Sequence, residues 1–369
     1  MRFFHIGDLH IGRQLNGADL TDDLRHILFT QILGSAYQQY KPDGLIIAGD
    51  IYDKASPSAE GVAMFDEFLS RAAELGLPVY AISGNHDSAQ RVSYGRKLFS
   101  ASGVHISEPF SADTPVTVLS AGSIDIALLP FFSSETAAAA FPDDGIENMT
   151  SALKAVFRHA QIPREGRSCL LVAHLSAGSE KASPIGSLES TDYRVFEPFA
   201  YTALGHFHTP FNVGGPTVRY CGSPLCFSLK EARSPQKYID IIDISANGEV
   251  DVISHPIQPL RGVQILEDSF DTLLSDKYSP TDDYVFIAVK GSNAESDAAR
   301  RLLIKFPNCV SIKYDEHHSQ ASKTEEYTKL DFDELFSGFF QLAMGETIEP
   351  ELLRTARALF EQTERGIKA

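Results

Sequence analysis

GNHDSAQR, residues 84–91, follows the apolar run PVYAIS and sets Asn85, His86 and Asp87 side by side behind Gly84. The arrangement recurs along the chain. GDLH (7–10), GDIYD (49–53), AH (173–174) and GHFH (205–208) also close apolar runs. Polar residues at repeated strand ends gather at one edge of the sheets, where α/β folds commonly hold ligands. A single Asp or His after a strand is ordinarily a cap or turn former. Five such endings in one chain point to a shared site.

The stretches supply Asp8, His10, Asp50, Asn85, His174, His206 and His208, a mixed oxygen and imidazole set suited to Mn²⁺, Fe or Zn²⁺. Seven donors exceed what one transition-metal ion takes. They suit two ions about 3.5–4 Å apart that share one carboxylate and leave room for water. In an extended segment the DxH spacing of Asp8 and His10 puts both side chains on one side, and the HxH of His206 and His208 does the same. Gly7, Gly49, Gly84 and Gly205 precede four of the five sets, and their expected use is to let the backbone turn sharply at the strand ends.

Other chemistries find no support. HExxH, GxSxG, GxxxxGK[ST] and GxGxxG are absent, which argues against zincin, serine-hydrolase, ATPase and dinucleotide-binding functions. The cysteines Cys169, Cys221, Cys226 and Cys309 form no CxxC pair, so reduced thiols in a cytoplasmic protein are expected. No 18-residue apolar run and no signal-peptide pattern is present, and no membrane association is expected. The formal charge of −17 opposes a generally basic nucleic-acid surface. Metal ions and a partner subunit could supply the missing positive charge.

Up to about residue 260 short apolar runs alternate with helical patterns, which predicts an α/β (α+β layered) architecture. Strands are expected at RFFHIG, GLIIAG, PVYAIS, IDIALLPF, CLLVAH, AYTALGH, VRYCG, YIDIIDI and VDVISHPI. Helices are expected over DLTDDLRHILFTQILGSAYQQY and over AEGVAMFDEFLSRAAELG, the latter stopped by Gly76. A second strand and helix alternation marks residues 261–316 as a small α/β domain, followed by a polar linker over 317–331. Residues 332–369 read as a helical tail whose Leu335, Phe336, Phe339, Phe340, Leu342 and Met344 offer apolar surface to the body or to a partner.

The order DxH, GDxxD, GNHD, lone His, GHxH resembles the calcineurin-like metallophosphoesterase superfamily. GDLHIGRQL, GDIYDKASPSAE, GNHDS, ALGHFHTP and CGSPLCFSLKEAR followed by Lys237 narrow the resemblance to its double-strand-break repair nucleases. The resemblance implies a four-layer β-sandwich flanked by helices, with 261–316 as a DNA-capping domain and 332–369 as the region that binds an SbcC-like coiled-coil ATPase. It implies two Mn²⁺ ions, with Mg²⁺, Fe or Zn²⁺ as other candidate occupants. Asp8, His10 and His208 would hold one ion and Asn85, His174 and His206 the other, with Asp50 bridging. His86 takes the place of a catalytic histidine facing the scissile phosphate, and Asp53 that of a residue near the substrate; the neighbouring Asp87 is expected either to orient His86 or to raise its pKa. The implied function is a Mn-dependent DNA exonuclease and endonuclease in repair, recombination and replication, working as a homodimer within a heterotetramer. Two alternatives are a phosphodiesterase for nucleotides or other small molecules and a non-catalytic scaffold that keeps the fold. The full set of ligands argues against the scaffold.

Overall fold

The computed structural model describes residues 1–178, 189–291, 298–314, 336, 340, 348–350 and 352–357. The chain divides into two compact units, Met1–Tyr314 and Asp315–Ala369. In the second unit residues 352–357 are helical. The expected linker and most of the expected tail lie outside the described residues.

Two six-stranded sheets form the body. The first runs, edge to edge, Val250–Ile257, Lys237–Ile244, Arg2–Ile6, Gly44–Ala48, Val79–Ile82, Val104–Ile106. The second runs Phe211–Asn212, Val218–Tyr220, Tyr201–Gly205, Ser168–His174, Ile124–Leu128, Thr117–Ala121. Alternate side chains on each strand point to opposite faces. Phe3, Ile46, Ile82, Ile126, Leu170, Val172 and Ala203 therefore meet in a core between the sheets. Phe4, Leu45, Ile47 and Val79 face the other way, against helical residues such as Leu24, Ile32, Met64 and Phe68. On the outer face of the second sheet, Leu171, Ala173 and Leu204 pack against Leu153, Val156 and Phe157. The result is four layers. Strands covered on both faces are apolar without interruption, which is why GLIIA and CLLVA lack polar alternation.

The expected first helix is helical from Thr21 to Tyr40, but its middle, His26–Ala36, winds as a π-helix. Ile27 and Ile32, and Leu28 and Leu33, are five residues apart, and all four are buried. A π turn stacks residues at that spacing on one side, where an α turn would splay them. The second helix spans Ala59–Glu74, capped by the Ser58 side chain, and Gly76 follows with φ +65°.

A separate three-stranded parallel sheet, Val263–Ser269, Tyr284–Lys290 and Cys309–Tyr314, packs with helices Phe270–Leu274 and Ala298–Lys305 around Leu273, Val285, Ile287, Leu302 and Phe306. One buried carboxylate ties it to the body. Asp23 accepts hydrogen bonds from Arg261 N at 2.7 Å, Arg261 Nε at 3.0 Å and Tyr284 Oη at 2.9 Å.

Candidate metal centre

Parallel pairing fixes where the polar stretches fall. Arg2–Ile6, Gly44–Ala48 and Val79–Ile82 run in one direction, so the residues after them emerge at one sheet edge. Ser168–His174 and Tyr201–Gly205 are likewise parallel, with Gly205 opposite His174. Stacking of the two sheets brings both edges together, and residues nearly 200 positions apart come into contact.

The first two loops are zipped by backbone bonds, Asp8 N to Gly49 O and His10 N to Asp50 O, both 3.0 Å. The expected role of the glycines is met only in part. Among the four, Gly49 alone has positive φ, +82°. The left-handed backbone belongs to the candidate ligands themselves: Asp8 (+50°), His10 (+44°), Asp50 (+47°) and His206 (+108°). Such conformations are rare outside glycine and cluster where a site over-determines the backbone. Gly84 and Gly205 serve close approach instead. A Cβ on Gly84 would collide with the Asp50 carboxylate, and one on Gly205 with the Ala48 carbonyl and the His174 ring.

All seven predicted donors gather here. His174 donates from Nδ1 to Ala48 O at 2.9 Å, and its Nε2 lies 2.9 Å from Asn85 Oδ1 and 3.4 Å from Asp50 Oδ2. On the other side His10 Nε2 lies 3.5 Å from the same Asp50 Oδ2 and 3.0 Å from His208 Nε2. His208 Nδ1 faces Glu231 Oε1 at 3.1 Å. Asp8 accepts the His206 N–H at 2.9 and 3.1 Å, and the His206 ring lies edge-on to His174. Imidazole nitrogens and carboxylate oxygens that converge on one space can serve as cation ligands once deprotonated, and Asp50 lies between the His10 and His174 rings.

The electrostatics differ from group to group. Burial drives the His10 and His206 imidazoles down to about 2 and about 4, and so keeps them neutral. Burial also pushes Asp8 up to about 6, against the charges of His174 and His208. For Asp50 the opposite outcome holds: burial is outweighed by His174 and His10, and the carboxyl stays below the usual range. His174 runs the other way: burial lowers its imidazole, but Asp50 and Asp8 outweigh that and raise it to about 9, so a cation bound there would displace a proton.

His86 is exposed at the rim. Its Nδ1 donates to the Asp53 carbonyl at 2.9 Å, and its ring stands edge-on to His10 at 4.9 Å. The expected partner, Asp87, is engaged elsewhere. Its carboxylate accepts backbone N–H groups from Ile51 (3.0 Å), Tyr52 (2.9 Å) and Gly84 (2.8 Å), clamping GDIYD to GNHD. A carboxylate saturated by backbone donors is not the group that orients His86; the Asp53 carbonyl is. The Asp53 side chain lies 3.4 Å from Arg13 and 3.7 Å from His10 Nδ1.

Sequence reasoning missed Glu231 as a site residue. Its carboxylate joins His208 to the buried Lys237, whose Nζ donates to Glu231 Oε2 at 2.9 Å and to the His208 carbonyl at 2.9 Å. The signal was present in SLKEAR, where Ser228 caps a helix that carries Glu231 back toward His208.

A cluster of candidate metal donors on a four-layer sandwich defines a class, and the chain belongs to the calcineurin-like phosphoesterase family, whose model matches residues 1–210. It is also similar along most of its length to two curated proteins, each named as the D component of the SbcCD nuclease. That of Staphylococcus saprophyticus is 29% identical over 360 residues, 94% of each chain. That of Staphylococcus epidermidis is 28% identical over 357 residues, 92% of this chain and 93% of the other. A solved structure titled as a novel archaeal phosphodiesterase aligns with 11% identity and a TM-score of 0.32, covering 69% of this chain and 99% of that one. Among the described residues no helix is long and apolar enough to cross a membrane.

Proposed function

We propose that the chain is the nuclease subunit of an SbcCD-type complex, hydrolysing DNA phosphodiester bonds as an exonuclease and endonuclease in repair, recombination and replication. The observation that carries the reading is Asp50, whose one oxygen faces His10 Nε2 at 3.5 Å and His174 Nε2 at 3.4 Å, flanked by Asn85 and His208. His10, His208 and Asp8 would hold one Mn²⁺ and Asn85, His174 and His206 the other. When bound there, such cations would supply Lewis acidity and a water of lowered pKa.

The chain's own groups do the rest. His86, with Nδ1 fixed by the Asp53 carbonyl, presents Nε2 outward, where its imidazolium form would contact a non-bridging phosphate oxygen and give the Nε2 proton to the departing oxygen, leaving the neutral imidazole. Asp87 holds the two loops that carry Asp50 and Asn85 at constant separation. The acidic chain needs help to meet a polyanion. An SbcC-like coiled-coil ATPase supplies it, docked on residues 332–369, with residues 261–316 capping the DNA and two copies of this chain in the assembly.

Cleavage of a DNA hairpin, with Mn²⁺ or Mg²⁺ and with or without the ATPase, tests the proposal. Mn²⁺-dependent cutting stimulated by the ATPase supports it. Hydrolysis of a chromogenic phosphodiester with no cutting of DNA under any of these conditions overturns it in favour of a small-molecule phosphodiesterase.

A further inference from the structure

We infer that Glu231, held by Lys237, is a positioning residue that makes the two cation sites unequal, so that the ion at His10 and His208 binds more tightly than the ion at Asn85 and His174. The inference rests on the binuclear reading above.

The imidazoles of the two sites are backed by different chemistry. His174 Nδ1 donates to a neutral acceptor, the Ala48 carbonyl, and its neighbour Asn85 is itself neutral. His208 Nδ1 donates to a carboxylate, Glu231 Oε1, at 3.1 Å. A carboxylate behind a ligating histidine fixes its tautomer and raises its basicity more than an amide carbonyl does. At His10 Nδ1 on the same side, the Arg13 guanidinium at 3.5 Å and the Asp53 carboxylate at 3.7 Å pair with each other and largely offset, so the asymmetry rests on Glu231.

Glu231 is built for the task. Oε2 accepts from Lys237 Nζ at 2.9 Å and Phe227 N at 3.3 Å, and Oε1 also accepts from Ser228 Oγ at 3.1 Å. Lys237 Nζ reaches on to the His208 carbonyl at 2.9 Å and Ser223 Oγ at 3.0 Å, so the pair grips His208 by ring and main chain together. The two side chains are 10% and 4% exposed. An ion pair so buried loses about as much in desolvation as it gains, so its presence calls for a role beyond stability.

The test is titration of the full-length, metal-stripped chain with Mn²⁺ alone, by calorimetry and by metal analysis after gel filtration. The wild type should show a tight and a weak class, one ion each. Asn85→Ala should remove the weak class. Glu231→Gln should weaken the tight class by roughly tenfold to a hundredfold and leave the weak class within about twofold. Glu231→Gln leaves Lys237 without its counter-charge, so the double variant Glu231→Gln, Lys237→Met removes both charges. If the variant folds, as judged by circular dichroism, it should still lack the tight class, whereas a merely structural pair would be rescued. An unchanged tight class in either folded variant, equal weakening of both classes, or two equivalent sites in the wild type overturns the inference alone. Fewer than two ions bound to the wild type overturns the binuclear reading with it.

Discussion

Asp87→Ala removes the acceptor of three backbone N–H groups, those of Ile51, Tyr52 and Gly84, bonded at 3.0, 2.9 and 2.8 Å. A hydrogen bond to a charged acceptor contributes about 1.5–3 kcal/mol, and a neutral one about 1 kcal/mol. Asp87 is half-buried, so water reaches part of the vacated space, and about 1–1.5 kcal/mol per bond is the fitting figure. The sum is a loss of about 3–5 kcal/mol, a large share of the roughly 5–15 kcal/mol that holds a typical domain. The damage is also local, because Gly84 and Ile51 flank Asn85 and Asp50, and the spacing between those two donors then drifts. Urea unfolding followed by far-ultraviolet circular dichroism measures the first effect, and Mn²⁺ titration the second. Asp87→Asn keeps one acceptor oxygen and should lose about half as much. An Asp87→Ala protein within about 0.5 kcal/mol of wild type, with unchanged Mn²⁺ binding, refutes the clamp. If that protein also cleaves DNA slowly, Asp87 acts on His86 after all.

Three further outcomes follow from particular contacts. His86→Ala should bind two Mn²⁺ ions as the wild type does yet cleave DNA roughly a hundredfold to ten-thousandfold more slowly; full-rate cleavage removes His86 from the chemistry. Asp23→Ala removes the shared acceptor of Arg261 and Tyr284, whose hydroxyl keeps the Asp19 carbonyl at 3.0 Å, and should destabilise the chain by about 2–3 kcal/mol in thermal or urea melts, against about 1 kcal/mol for Tyr284→Phe. His5 is wholly buried, with Nε2 lacking a partner, and burial drives its pKa to about 3. Below about pH 6.5 the unfolded chain takes up the proton that the folded one refuses, so this contribution is present above that pH and is lost as pH falls toward 3, by up to roughly 1.4 kcal/mol per unit. His5→Gln should flatten the pH dependence of the urea midpoint over that window, and an unaltered slope contradicts the assignment.

What could be read beforehand was set by local chemistry. Apolar runs such as GLIIA and CLLVA announced strands covered on both faces, and the polar residues closing them announced the edge where donors collect. Partner choice was not legible, because it is decided across long separations. Asp8 and His206 meet only after the two sheets stack, and the strand Lys237–Ile244 reaches the centre by pairing antiparallel to Arg2–Ile6, with Phe3 opposite Ile242. For the same reason nothing singled out Glu231 within CGSPLCFSLKEAR, and Asp87 read as a neighbour of His86. Its three bonds run instead to backbone amides, which carry no side-chain signature. The π-helical stretch was hidden for a different reason. Ile27, Leu28, Ile32 and Leu33 satisfy the α period loosely and the five-residue period closely, and only packing selects between them.

The central claim is a pair of cations bridged by Asp50. Crystals grown with Mn²⁺ and measured at the manganese absorption edge test it directly. The account predicts two anomalous peaks about 3.5–4 Å apart, one against His10 and His208, the other against Asn85 and His174, with Asp50 between them. A single peak, or two peaks that Asp50 does not touch, contradicts it.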